Sequence, residues 1–315
     1  MRRGLGLAAL ALAAMALALP ARAAEVDLSG WRGERAMEDI AKQLSFGVRA
    51  MGLPGHEKTI AYIEQELATL SVPTQRQSWT EVTGETILQL TNLVGRLAPD
   101  NPRRIVVGTH YDSIVRAYRD REHPDAPMPG ANNSASGVAV LLETARVLSR
   151  SFVRPAVGVD FVFFDGEEGP LSLGEGDPHW VPLGSPYFAN HLIELYGRGK
   201  PSEAVIFDMV CYEKLELQPE PLSLAGARAQ VQEFWRIGGE LAPAVFSETP
   251  WRNPIYDDHL PLIQAGIPSF LVIGFEYGPW YNTTRDTLDK CSPVSLEAVG
   301  RTLTRYLYLA GKRGR

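Results

Sequence analysis

Four short apolar runs, Arg104 to Gly108, Val157 to Phe164, Ala204 to Met209 and Ile267 to Ile273, constrain this fold most. Each is rich in Val, Ile and Phe and compact, as central strands buried on both faces are. Around them, apolar residues recur at helical spacing. Ile60, Ile63, Leu67 and Leu70 do so after Gly55, Val138, Leu141, Leu142, Ala145 and Leu148 further on, and Leu296, Val299, Leu303 and Leu307 near the C-terminus. Strands alternating with helices specify an α/β layer fold. The expectation is a single domain with a mixed, mostly parallel central sheet flanked by helices.

The polar residues fall at the ends of those runs. His110 follows the first, Glu167 and Glu168 follow the second, Asp208 ends the third, and Asn282 follows the fourth after a loop. Ligands of open α/β sheets bind outside the carboxyl ends of the strands, so these separated segments converge on one crevice. Adjacent glutamates leaving a strand point in different directions, which lets one bind a metal while the other moves protons. Two irregular stretches, 119–129 and 169–182, lie beside this crevice, where loops set substrate choice.

The N-terminus reads as a secretory signal: basic Arg2 and Arg3, an apolar stretch from Leu5 to Pro20, and the small-residue site Ala21-Arg22-Ala23. Residues 1–24 are therefore expected to be removed, leaving 25–315 as one domain in the periplasm or outside the cell, with no membrane anchor. Without Arg2, Arg3 and Arg22 the chain carries 28 basic and 37 acidic side chains. That balance argues against a nucleic-acid surface, which needs a basic stripe. The two cysteines, Cys211 and Cys291, either pair in an oxidising compartment or remain separate buried thiols. Neither belongs to a CxxC pair. The chain also lacks the GxSxG elbow of a serine hydrolase and the GK[ST] ending of a phosphate loop.

His110-Tyr111-Asp112-Ser113, Asp165-Gly166-Glu167-Glu168, Asp258-His259 and Ala265-Gly266-Ile267-Pro268 occur in an order that resembles the M28 family of zinc aminopeptidases and its relatives, the animal-type glutaminyl cyclases. The similarity runs over nearly all of the chain after the signal, from Pro54-Gly55-His56 to Thr287-Leu288-Asp289. In the two-zinc aminopeptidases it implies one zinc on His110 and Asp208, a second on Glu168 and the position of Asn282, and a bridge at the position of Asn133. In the single-zinc cyclases it implies a metal on the positions of Asn133, Glu168 and Asn282. Glu167 matches the acid/base residue, and Asp258, or alternatively Asp257, helps to hold the reacting groups. Asp112 completes the expected catalytic set. Fifteen residues separate Glu168 from Gly184-Ser185, an insertion that includes Trp180 and resembles the cyclases. Trp180, Trp280 and His259 are the expected substrate-facing side chains.

The chain departs from the family where Asp is expected at 133 and His at 282, both being asparagine here. A carboxamide is neutral and a weak oxygen donor, whereas zinc prefers imidazole, thiolate or carboxylate. His110 and Asp208 keep ordinary donors on one side, to which His259 or His179 could add a further imidazole. Two functions follow as expectations. One is an enzyme acting at peptide N-termini, cyclase-like or aminopeptidase, on a peptide or small amide-bearing substrate. The other is a metal-poor relative that binds such a ligand without turnover.

Overall fold

The computed structural model describes residues 27–83, 86–169 and 181–312. Six strands form one mixed sheet: β1 (Thr74–Thr83), β2 (Thr86–Leu97), β3 (Arg104–His110), β4 (Gly158–Phe164), β5 (Glu203–Asp208) and β6 (Ser269–Ile273). Their order is β1-β2-β4-β3-β5-β6. The β1/β2 and β2/β4 pairs are antiparallel, and β4/β3, β3/β5 and β5/β6 are parallel. The four expected runs thus become the parallel core of the sheet. The last begins two residues later than its apolar run because Pro268 has no N–H to give the ladder.

Eight helices accompany it among the described residues: α1 (Gly33–Leu44), α2 (Pro54–Thr69), α3 (Ala135–Arg150), α4 (Gly184–Asn190), α5 (Leu192–Tyr196), α6 (Pro221–Leu241), α7 (His259–Gln264) and α8 (Pro293–Ala310). Side chains alternate across each strand. Val107, Phe161, Phe163, Val205 and Phe207 point into the larger core, which α1, α3, α6 and α8 cover. Val106, Val162, Phe164 and Ile206 point to the opposite face, against Phe188 of α4 and Leu262 of α7. Burial on both faces explains why these strands read as unbroken apolar runs. Cys211 and Cys291 are disulfide-bonded, tying the end of β5 to the start of α8 across 80 residues of chain. No described helix is long and apolar enough to cross a membrane.

Candidate active site

The carboxyl ends of β3, β4 and β5 meet at one place. His110 is the last residue of β3, and its Nε2 lies 3.2 Å from Oδ1 of Asp208, the last residue of β5. Its Nδ1 lies 3.4 Å from Asp112 and 3.8 Å from Glu167. After β4, Gly166 takes φ +70°, a left-handed turn that glycine adopts without a steric penalty. Glu167 and Glu168 then offer their backbone N–H groups to Oδ1 and Oδ2 of Asp112, at 3.1 and 3.0 Å. Asp112 is fully buried. It fixes the backbone of the glutamate pair and does not line the cavity.

The asparagine loop is pinned from two sides. Buried Arg49 donates to the carbonyls of Pro129 and Gly130 at 2.8 and 2.7 Å. Buried Asp286 accepts from the N–H groups of Asn132 and Asn133 at 2.8 and 3.1 Å and from the Tyr277 hydroxyl at 2.7 Å. The Asn133 side chain donates to Glu168 Oε1 at 2.6 Å and to Asn282 Oδ1 at 3.2 Å. Asn282 in turn donates to the Tyr118 hydroxyl at 3.0 Å. Its φ of +54° is one that asparagine tolerates better than most residues. Asn133 Oδ1 is buried and has no hydrogen-bond partner among the described residues.

A cavity of about 470 Å³ opens above these groups. Glu167, Glu168, Asp208 and Asp257 supply carboxyls to its wall, with Asn133 and Asn282 beside them. Trp251, Tyr256, Phe275 and Tyr281 supply the aromatic surface. Burial, together with the neighbouring Glu168, Asp257 and Asp258, pushes Glu167 well above the usual carboxyl range, although the His110 ring opposes this. Burial likewise pushes Glu168 up to about 8 and Asp258 up to about 7. Asp257 is also raised well above its ordinary value by burial and by Asp208 and Asp258. Burial works against a charged His110, but Glu167, Asp112 and Asp208 outweigh it and hold the ring well above the ordinary imidazole value. The site is a cluster of carboxyls sharing protons around one imidazole.

The residues expected from sequence divide into four groups. His110, Asp112, Glu167, Glu168, Asp208, Asn133 and Asn282 come together. Asp258 lies nearby but behind the wall: it is fully buried and accepts from Ser185 Oγ at 2.5 Å, while its neighbour Asp257 faces the cavity. His259 and Trp280 are corrected by the structure. The His259 ring is fully buried and sits 3.0 Å from Glu220, the residue that caps α6, so it serves that helix start instead of the cavity. Trp280 turns away from the cavity and packs beneath the Arg285 guanidinium, 4.0 Å from the ring centre, leaving Tyr281 to face inward. Trp180 and His179 lie outside the described residues. Tyr118, Trp251, Tyr256, Phe275 and Tyr281 were not singled out from sequence, because no local pattern separates an aromatic residue in a loop from one in a wall. Asp286 lies four residues beyond Asn282, and that proximity was its signal.

Zinc belongs to the relatives; at positions 133 and 282 this chain carries neutral amides, which are poorer zinc donors than the carboxylate and imidazole the resemblance implies. No group of three or more His, Cys, Asp or Glu among the described residues is arranged to hold a metal ion. At the second metal position both amide hydrogens of Asn133 point to the groups that would share the metal, and Asn282 Oδ1 accepts one of them.

Three relatives bracket the chain. The crystal structure of Fimbriiglobus ruber glutaminyl cyclase superposes with a TM-score of 0.81 at 29% identity, over 89% of this chain and 95% of that one. A leucine aminopeptidase precursor from Bacteroides thetaiotaomicron gives 0.82 at 25% identity, over 90% and 99%. The glutaminyl-peptide cyclotransferase-like protein of Bos taurus is 24% identical over 286 residues, 82% of this chain and 71% of its own length. Residues 92–307 match the family described as Peptidase family M28, a span that runs from within β2 into α8 and takes in every residue lining the cavity. The chain is a member of peptidase family M28, similar both to glutaminyl cyclases and to aminopeptidases.

Proposed function

We propose that this protein acts on the N-terminal residue of peptides, as a glutaminyl cyclase-like enzyme with Glu167 as its general acid/base. The observation that carries this reading is the placement of Glu167. It is held by Asp112 at the end of β4, lines an aromatic-walled cavity, and has a proton affinity raised by burial and by its neighbours. A carboxyl so tuned exchanges protons with amines more readily than an ordinary glutamate. Relatives named for two N-terminal activities, cyclisation and aminopeptidase cleavage, favour turnover over simple binding.

In this mechanism the N-terminal ammonium enters between Glu167, Glu168, Asp208 and Asp257 and passes one proton to a carboxylate of this group other than Glu167. The free amine attacks the side-chain amide carbon of an N-terminal glutamine, forming a new C–N bond. Glu167 takes the proton that the attacking nitrogen sheds and delivers it to the amide nitrogen. The old C–N bond breaks and ammonia leaves, so the products are a ring-closed peptide and ammonia. His110 stabilises the carboxylate form of Glu167 during the exchange. The aromatic wall holds the apolar stem of the glutamine side chain and excludes water, so ring closure outruns hydrolysis.

Secretion belongs to the same proposal. The Cys211–Cys291 disulfide supports it, since such bonds persist in oxidising compartments. The reaction is tested by incubating the purified chain with peptides that begin with glutamine or leucine and analysing products by mass spectrometry. Ammonia loss from the glutaminyl peptides is the expected result. Release of free leucine would move the assignment to aminopeptidase, and no change in either peptide would refute turnover.

A further inference from the structure

A second cavity, of about 500 Å³, adjoins the first, and Tyr281 lines both. Its chemistry is opposite. Where the first wall carries four carboxyls against the single guanidinium of Arg252, the second carries the guanidiniums of Arg119, Arg121 and Arg285 together with His123. Its acids are Asp120 and Glu122. The Asp120 carboxylate is turned into the wall, where it accepts from the N–H groups of Glu122, His123 and Thr284 and from the Thr284 hydroxyl. Arg285 stacks over Trp280 at 4.0 Å and Arg119 over Tyr281 at 4.7 Å. Stacking on Trp280 holds the Arg285 guanidinium in one orientation, so it loses less freedom on meeting a carboxylate.

The two cavities are built on the same loops. The Arg119 N–H donates to the Asn282 carbonyl, and the Tyr118 hydroxyl accepts from the Asn282 side chain, so the 118–123 loop is sewn to the 281–284 loop. An acidic cavity for an ammonium therefore stands at a fixed spacing from a basic one. A peptide has that polarity when its N-terminus is followed by a carboxylate.

We propose that the second cavity is a downstream peptide subsite that selects substrates bearing a carboxylate, either an acidic side chain or the C-terminus of a short peptide. This rests on the proposed action at peptide N-termini. It also explains why Trp280 is turned outward: the indole is the platform that orients Arg285.

The test is calorimetric binding to the full chain carrying Glu167→Gln, which slows turnover by about a hundredfold or more. Three series of glutaminyl peptides of increasing length are compared: neutral with an amidated C-terminus, amidated with one internal glutamate, and neutral with a free C-terminus. At low salt a carboxylate-bearing series is expected to bind about fivefold tighter than the neutral one, the scale of one or two solvent-exposed ion pairs. The preferred series identifies which carboxylate is read. In the Arg121→Ser/Arg285→Ser background the ratio is expected to fall to about one. Arg121→Ser alone, together with a salt series on the chain with its arginines intact, serves if the double variant fails to fold. Equal affinity across the three series, or a preference that survives both substitutions and high salt, overturns the subsite. Turnover assayed in parallel on the protein retaining Glu167 separates the two claims. Turnover without carboxylate preference leaves the N-terminal reaction standing and the subsite refuted, whereas preference without turnover does the reverse. Binding of no peptide at all refutes both.

Discussion

Replacing Asn133 by Asp and Asn282 by His restores the donors that the family expects, and the structure sets the size of the effect. The Asn133 amide nitrogen lies 2.6 Å from Glu168 Oε1 and donates to it. A carboxylate oxygen put in its place by Asn133→Asp would face that carboxyl directly. Two full charges so close repel by about 6 kcal/mol at an effective dielectric of about 20. The pair escapes most of this by sharing a proton, leaving the lost hydrogen bonds, about 2–3 kcal/mol. Without metal the double variant should therefore melt roughly 4–10 °C below the parent protein. Zinc should reverse the loss: at a free concentration of about a thousand times its Kd it adds about 4 kcal/mol. Differential scanning fluorimetry with and without zinc, beside metal analysis of both proteins, reads this out. The parent should show no comparable zinc-dependent rise. A parent stabilised by zinc as strongly as the variant would refute the reasoning, because coordination would then be complete without the two substituted positions.

Three further outcomes are expected. Glu168 has a folded value of about 8 against an ordinary 4.5, so the folded state holds its proton more tightly. Its stabilising contribution is complete below pH 4.5 and is lost as pH rises toward 8. Glu168→Gln, which keeps an acceptor for Asn133, should flatten the decline in melting temperature across that window, and an unchanged decline would assign it to other groups. Replacing Cys211 and Cys291 by serine removes a link closing 80 residues and should lower stability by about 4 kcal/mol in chemical denaturation. Asp112→Asn sets an amide donor against one of the two N–H groups that Asp112 accepts. It should destabilise by about 2 kcal/mol and reduce turnover without abolishing peptide binding.

How far the site could be read from sequence follows from where its information lies. The parallel strands were legible because burial on both faces makes them apolar throughout. His110, Glu167, Glu168 and Asp208 were legible because polar residues at the ends of such runs have a topological reason to be there. The β1/β2 hairpin escaped because β1 is an edge strand whose Gln75, Arg76, Gln77 and Ser78 carry no apolar alternation. The helix over 221–241 escaped because its start depends on Glu220 and His259, which meet only in the folded chain. Between adjacent residues, sequence could not tell Asp257 from Asp258 or Trp280 from Tyr281. In each pair the choice is the direction of one side chain in a turn, set by Ser185 in the first case and by Arg285 stacking on Trp280 in the second. The walls of the cavity come from loops before α7 and after β6, and only tertiary structure brings them together.

The most direct test of the central claim is the rate of N-terminal conversion of a glutaminyl peptide by the unsubstituted chain and by Glu167→Gln, measured beside peptide affinity. The account predicts a fall of about 10²–10⁴ in turnover with affinity changed little, the range for losing a general acid/base. Equal rates in the two proteins would contradict it, because Glu167 would then carry no proton that the reaction needs.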